Sequence, residues 1–324
     1  MFRHRRIETS IAFVILALGL ALAAFVPSFY TAGNLTELLL ANLPVFIVAM
    51  GAMLVLIAGE IDISSGSTFA VCSVLAGALA VAHVPLPFAV FAAVVAGVAA
   101  GAANGALVAY GAVPSIVVTL AAMVVLRDGL RWITQGAWVQ GLPATFQWLG
   151  LTQETYPVAA IGTAAALGGG FTWGLRRLRA GRAIYATGSN PQAARLVAID
   201  VRATKFWVFI LAGGLTGLAA VINAVRFSQV PSNTGLGLEL RAIAAVVVGG
   251  TAISGGRGSI AGTLLGVILL GLISPALTFL GASPYWEQAL QGAIILAAVL
   301  IDAVGSRRLT TSHVSRTGAR RAEA

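Results

Sequence analysis

Apolar runs of roughly 17–25 residues follow one another along most of the chain, each long enough to cross about 30 Å of hydrocarbon. Short polar breaks separate ten of them, at 11–27, 40–58, 66–83, 88–110, 114–133, 154–174, 205–225, 239–253, 259–281 and 287–303. The eighth is short and glycine-rich, which leaves a count of nine open. The pattern predicts an all-α, polytopic membrane helical bundle of about ten transmembrane helices. It forms a single transmembrane domain over 1–306, followed by a basic cytoplasmic tail at 307–324 whose polar composition predicts disorder.

Composition supports the pattern. Hydrophobic residues make up 58% of the chain and charged residues 10%, where soluble domains carry about 25% charged residues. A water-exposed surface of this size could not be covered with so few polar groups. Glycine is frequent, at 38 residues, as expected where membrane helices approach closely. The one cysteine, Cys72, lies inside an apolar run and excludes disulfides. The apolar stretch after Arg3, Arg5 and Arg6 resembles a signal peptide, but further spans follow it, so an uncleaved first helix is expected.

The net charge of +9 does not point to nucleic acid, because the basic residues sit in breaks between spans. With the N-terminus in the cytoplasm, the N-terminal arginines, the 175–204 stretch with Lys205 at its edge, Arg257 and the tail all fall inside. They hold sixteen of the twenty Lys and Arg. Positive-inside topology therefore predicts both termini in the cytoplasm. Two breaks are long. The outer one, 134–153, carries Trp138, Phe146 and Trp148, which read as interfacial aromatics. The inner one, 175–204, holds most of the polar chemistry.

Within the inner break, Ser189 or Asn190 can cap a helix whose first residue is Pro191, since proline lacks the amide that would be unsatisfied there. Residues 192–199 then supply about two turns, with Ala193 and Ala194 on the surface. Such a helix can dock into a partner, or the stretch can be a solvated loop that fixes topology. Gly188-Ser189-Asn190-Pro191 with Ala193-Ala194-Arg195 resembles the coupling loop of ribose-type sugar permeases of ATP-binding-cassette importers. Other segments resemble that family in the same order: Gly59-Glu60-Ile61-Asp62-Ile63-Ser64-Ser65-Gly66, Asn104-Gly105 with Val113-Pro114-Ser115, and Glu239-Leu240-Arg241 through Gly249-Gly250-Thr251 and Gly255-Gly256-Arg257-Gly258-Ser259. Glu60 stands where the family usually has glycine and Ser65 where it often has valine. Both departures bear on the substrate.

The resemblance implies the channel subunit of an importer in a bacterial inner membrane, moving a monosaccharide by alternating access. It implies a cytoplasmic ATPase, an extracytoplasmic sugar-binding protein, and a second permease copy or paralogue. Gly188, Ser189, Asn190, Pro191, Ala193, Ala194 and Arg195 would couple to the ATPase. The chain has no G-x-x-x-x-G-K-[ST] phosphate loop, so ATP and magnesium are expected on the partner, and no cofactor or enzymatic activity here.

Polar residues within or beside the spans are the candidates for a substrate path: Glu60, Asp62, Asn104, Thr119, Glu239 and Arg241. Each has a plainer use. Asp62, Ser64 and Ser65 suit a helix start, Asn104 an interhelical bond, and Thr119 a bond to its own helix backbone. Asp128 and Arg131 can pair at i,i+3. The three histidines offer no metal spacing. Branched-chain amino-acid import and an ion-driven carrier are the alternatives. The echo of Gly59-x-x-x-Ile63-Ser64-x-Gly66 in Gly249-x-x-x-Ile253-Ser254-x-Gly256 reads as chance.

Overall fold

Eleven α-helices and two short 3-10 turns make up the helical structure described over residues 2–279. The computed structural model describes residues 2–25 and 27–279, with scattered helical positions between 286 and 296. The candidate span 287–303 lies mostly, and the tail 307–324 wholly, outside the described residues.

Residues Phe2–Phe25 form α1, Ala32–Ile57 α2, Ser65–Val81 α3, Leu86–Ala109 α4, Ser115–Thr134 α5 and Thr155–Arg177 α6. Arg179–Ser189 form α7, Pro191–Leu196 α8, Val201–Ala224 α9, Leu238–Val248 α10 and Ile260–Phe279 α11. Five of these, α2, α4, α6, α9 and α11, are long and apolar enough to cross a membrane. The fifth apolar run, α5, carries Arg127, Asp128 and Arg131 near its end. Helices α3 and α10 are shorter, at 17 and 11 residues.

Helix α2 is the hub. Every residue from Leu43 to Ile57 is buried, the state expected of a helix apolar on all faces. The pairings around it are symmetric. Exchanging α2, α3 and α4 for α9, α10 and α11 turns α3–α9 into α10–α2, α4–α9 into α11–α2, and α3–α4 into α10–α11, all of which are packed pairs. Helix α2 ends beside α7, whereas α9 begins there, so the two triplets are inverted repeats.

Glycines set the tightest pairing. A Cβ at Gly97 of α4 would strike the carbonyl of Gly213 of α9, and one at Gly101 the carbonyl of Phe209. The backbones touch there, and small residues are what let them do so.

The two short helices explain the weak eighth span. After Ile57 the chain turns back through 58–64 without helical structure. The Ile61 amide donates to Ser115 Oγ at the start of α5 (3.2 Å), and Ser67 Oγ donates to the Met123 carbonyl (2.9 Å). Met123 lies eight residues beyond Ser115, about 12 Å along the axis at about 1.5 Å per residue. Helix α3 therefore begins part-way along α5, not at its end. On the other side, α10 starts against the same point, because Gly66 touches Gly235 and Glu239. The two helix N-termini abut inside the bundle, and their axes lead to opposite ends.

At the end away from α7, the 134–153 segment is fastened to the α9–α10 connection. Val139 and Val230 exchange backbone hydrogen bonds, each 2.9 Å, and the Trp148 amide donates to the Val225 carbonyl (2.8 Å). Of the three aromatics expected at an interface, Phe146 is instead buried and Trp148 stacks edge-on against Tyr156 at 5.3 Å. Trp138 stays exposed. The segment folds as a cap whose apolar side chains, Phe146 among them, extend the main core, which an aromatic count could not reveal.

Candidate functional site

The 175–204 stretch is more ordered than a loop. Helix α6 runs on to Arg177, α7 follows almost directly, and α8 sits on a separate turn. Helix α7 was not legible as a helix, because Gly181 and Gly188 weaken the signal. Tertiary contact selects it. Gly181 lies against the backbone of Leu175, and Gly188 against the carbonyl of Ile57 at the end of α2. The Tyr185 hydroxyl donates to the Gly258 carbonyl (2.8 Å). Burial pushes its pKa up, and Arg176 pulls it back, so it remains a neutral donor.

The cap is as expected. Asn190 Oδ1 accepts from the amides of Gln192 (3.1 Å) and Ala193 (3.0 Å), and Pro191 opens α8. The helix is shorter than the expected two turns, ending at Leu196, and Ala198 adopts φ +60°. Ala193 is exposed, but Ala194 is buried, contrary to its expected place on the surface. Leu196 and Val197, overlooked in the sequence, are 89% and 69% exposed at the tip. Two large apolar side chains bare at the end of a capped helix form a knob. Their signal was the apolar pair Leu196-Val197 directly after a short capped helix.

Three breaks converge at the joint between α7 and α8. The Gly256 amide donates to the Ile57 carbonyl (2.8 Å), Gly255 touches Gly59 and Gly188, and Gly256 touches Ser189. The two echoing motifs thus meet at Gly188 and Ser189, although they do not correspond in the inverted repeat. Glu60 forms an ion pair with Lys205 at the start of α9.

The remaining path candidates lie deeper. Asp62 Oδ1 accepts from the Ser64 amide (2.8 Å) and hydroxyl (2.6 Å), and Asn104 Nδ2 donates to Ser64 Oγ (2.8 Å). This chain joins the α2–α3 break to α4. Thr119 donates to the carbonyl of Ser115 (2.9 Å) on its own helix. Asp62 thus organises the turn before α3, while the N-cap residue Ser64 makes no side-chain cap bond.

At the abutting N-termini, Glu239 is 5% exposed and points its Oε2 at Gly66. A carboxylate at a helix N-terminus is stabilised by the free amides and the dipole there. Arg127 of α5 stands 3.7 Å away. Ser65 Oγ, Arg127 Nη2 and Glu239 Oε2 are all buried without a hydrogen-bond partner among the described residues. Arg127 is the member missed in the sequence, where its place in a run with Asp128 and Arg131 suggested a local pair. Only Asp128 and Arg131 pair, at 3.6 Å, and both are largely exposed. Arg241 is half-buried one turn along α10.

Helices long enough to span, inverted about a polar centre and linked by a knobbed helix pair, define a membrane permease. The family described as "branched-chain amino acid transport system / permease component" matches residues 34–299. The chain belongs to this family. It is 34% identical to the autoinducer 2 import system permease protein LsrC of Salmonella typhi over 303 residues, 91% of this chain and 85% of that one. It is 36% identical to LsrC of Escherichia coli O9:H4 (strain HS) over 257 residues, 79% of this chain and 75% of that one. No solved structure gives a significant match.

Proposed function

We propose that this chain is the channel subunit of an ATP-driven, binding-protein-dependent importer of a small sugar-like molecule in a bacterial inner membrane. Its ATP and magnesium belong to a separate cytoplasmic ATPase, and a binding protein delivers cargo on the opposite face. The observation that carries this reading is the α7–α8 unit. Its exposed tip is Leu196 and Val197, and Gly188, at the joint between the two helices, is seated on the α2 terminus and the 255–256 turn. A push on the tip is thereby delivered to the breaks before α3 and after α10, the elements that meet at Glu239. Alternating access follows from moving two short helices whose N-termini abut.

The chain makes ten traverses with both termini in the cytoplasm. Two of them, through α3 and α10, are part helix and part non-helical chain. Non-helical backbone is tolerated at depth where protein covers it. The chain acts as a pair. Asp128 and Arg131 have side chains 63% and 54% exposed on α5, and charges facing lipid are costly. A second copy, or a water-filled path between copies, accounts for that face.

For the cargo, the import of autoinducer 2 named for the relatives favours a small, polyhydroxylated, uncharged molecule. Asn104, Thr119, Glu239, Arg241 and the Glu60–Asp62 break are the polar groups near its route. Branched-chain amino acids are the second reading, favoured by the Arg127–Glu239 pair, which could meet a zwitterion. Uptake by vesicles holding this chain, its ATPase and its binding protein separates the readings. ATP-dependent uptake of a labelled furanose-type sugar, with leucine excluded, supports the first. ATP-dependent leucine uptake supports the second, and uptake driven by an ion gradient without ATP overturns both.

A further inference from the structure

Helix α6 is loosely held. Most of its length faces outward, and its packing partners are α2, α7 and, more lightly, α11. Between α6, the middle of α2 and the first turn of α11 lies a lateral cavity of about 570 Å³. Phe46 and Gly168 form part of its floor, and at Gly169 a side chain would meet no atom of the described residues within 4 Å, which leaves it open. The Thr172 hydroxyl in its wall is already bonded to the Gly168 carbonyl (2.7 Å), so the cavity makes no polar demand along its length. At the α7 end its rim changes character. Trp173 is 60% exposed, and Arg176 and Arg177 are exposed in the last turn. No carboxylate among the described residues pairs with either arginine.

The dimensions suit one leaflet. The α6 residues lining the groove run from Ala164 to Arg177, about 20 Å at about 1.5 Å per residue. Half of a bilayer's hydrocarbon core is about 15 Å. An acyl chain laid against Gly169 would put its phosphate level with the two guanidiniums, whose planar forks match phosphate oxygens. Trp173 stands where interfacial aromatics sit.

We propose that this groove is a binding site for one anionic phospholipid of the leaflet on the α7 side, with Arg176 and Arg177 holding the headgroup phosphate. The lipid fills the space between α6 and the α2–α11 pair and braces the helix that leads directly into α7. The site is independent of the cargo carried.

Native mass spectrometry of the full-length permease, released from micelles containing phosphatidylglycerol or phosphatidylcholine, tests the site. One phosphatidylglycerol per chain is expected to survive activation, with phosphatidylcholine retained at least tenfold less. The Arg176→Gln/Arg177→Gln variant should lose the preference. Gly169→Leu, which keeps both arginines and fills the groove, should lower phosphatidylglycerol retention about tenfold. Equal retention of the two lipids would overturn the proposal. So would undiminished phosphatidylglycerol on Gly169→Leu, which would reduce the arginines to a surface charge.

Discussion

Gly188 lies against the carbonyl oxygen of Ile57 with no room for a side chain between them. That carbonyl, at the end of α2, also accepts from the Gly256 amide (2.8 Å). One oxygen thus fixes the last turn of α7, the end of α2 and the turn after α10 to one another. Gly188→Ala forces this junction apart, and overpacking of this kind typically costs about 1–3 kcal/mol. The expected result is a folded permease that reaches the membrane, with uptake reduced at least tenfold. Normal uptake with normal expression would show that the junction does not carry motion.

The cap on α8 is a smaller, separable contribution. Asn190→Ala removes the acceptor for the Gln192 and Ala193 amides, a change worth about 1 kcal/mol. Hydrogen exchange at these two amides should speed up about fivefold, while exchange in α9 stays unchanged. Unaltered exchange at Gln192 and Ala193 would mean that the turn holds α8 without its cap.

Leu196 and Val197 are bare in the isolated chain. A buried apolar anchor at an interface is worth about 2 kcal/mol or more when lost, or about thirtyfold in affinity. Leu196→Asp should weaken ATPase binding by at least that factor without changing the thermal stability of the permease alone. Binding affinity by biolayer interferometry decides the matter, and an unchanged value would move the docking surface elsewhere.

Glu239 and Arg127 are buried partners 3.7 Å apart. Removing one partner strands the other, at about 3–5 kcal/mol where burial is complete. Arg127 keeps an 18% exposed side chain, so about 2 kcal/mol is expected. Glu239→Gln and Arg127→Leu should each lower the melting temperature, and the double variant should lose clearly less than the sum. Strict additivity in this double-mutant cycle would show that the two charges do not interact.

Glu60 and Lys205 allow a charge-reversal test. Their ion pair links the α2–α3 break to the start of α9, and both side chains are less than a quarter exposed. Glu60→Lys should reduce uptake several-fold, and adding Lys205→Glu should restore most of it. Failure of the double variant to recover would return Glu60 to contact with the cargo.

Much was legible in the sequence because membrane helices are written in local composition. Apolar runs of spanning length fixed the helical class, and most of the spans matched helices with ends shifted by a few residues. The α8 cap was readable because Asn190-Pro191 is a local signal, satisfied within three residues. Thr119 and the Asp128–Arg131 pair were readable for the same reason, since each partner lies one helical turn away.

What the tertiary structure decided involves partners far apart in the chain. The inverted repeat is a relation of packing, carried by pairs such as Gly97 with Gly213, and it leaves almost no trace in side-chain pattern. The abutting half-helices depend on Gly66 finding Glu239, 173 positions away, so neither the shortness of α10 nor the role of Arg127 could be read locally. Helix α7 exists because Gly181 and Gly188 gain more from close backbone contact than they lose in propensity. The sequence by itself determined what crosses the membrane and where a short helix is capped. Only the fold decided which breaks meet, because close approach is a property of two surfaces and composition describes one at a time.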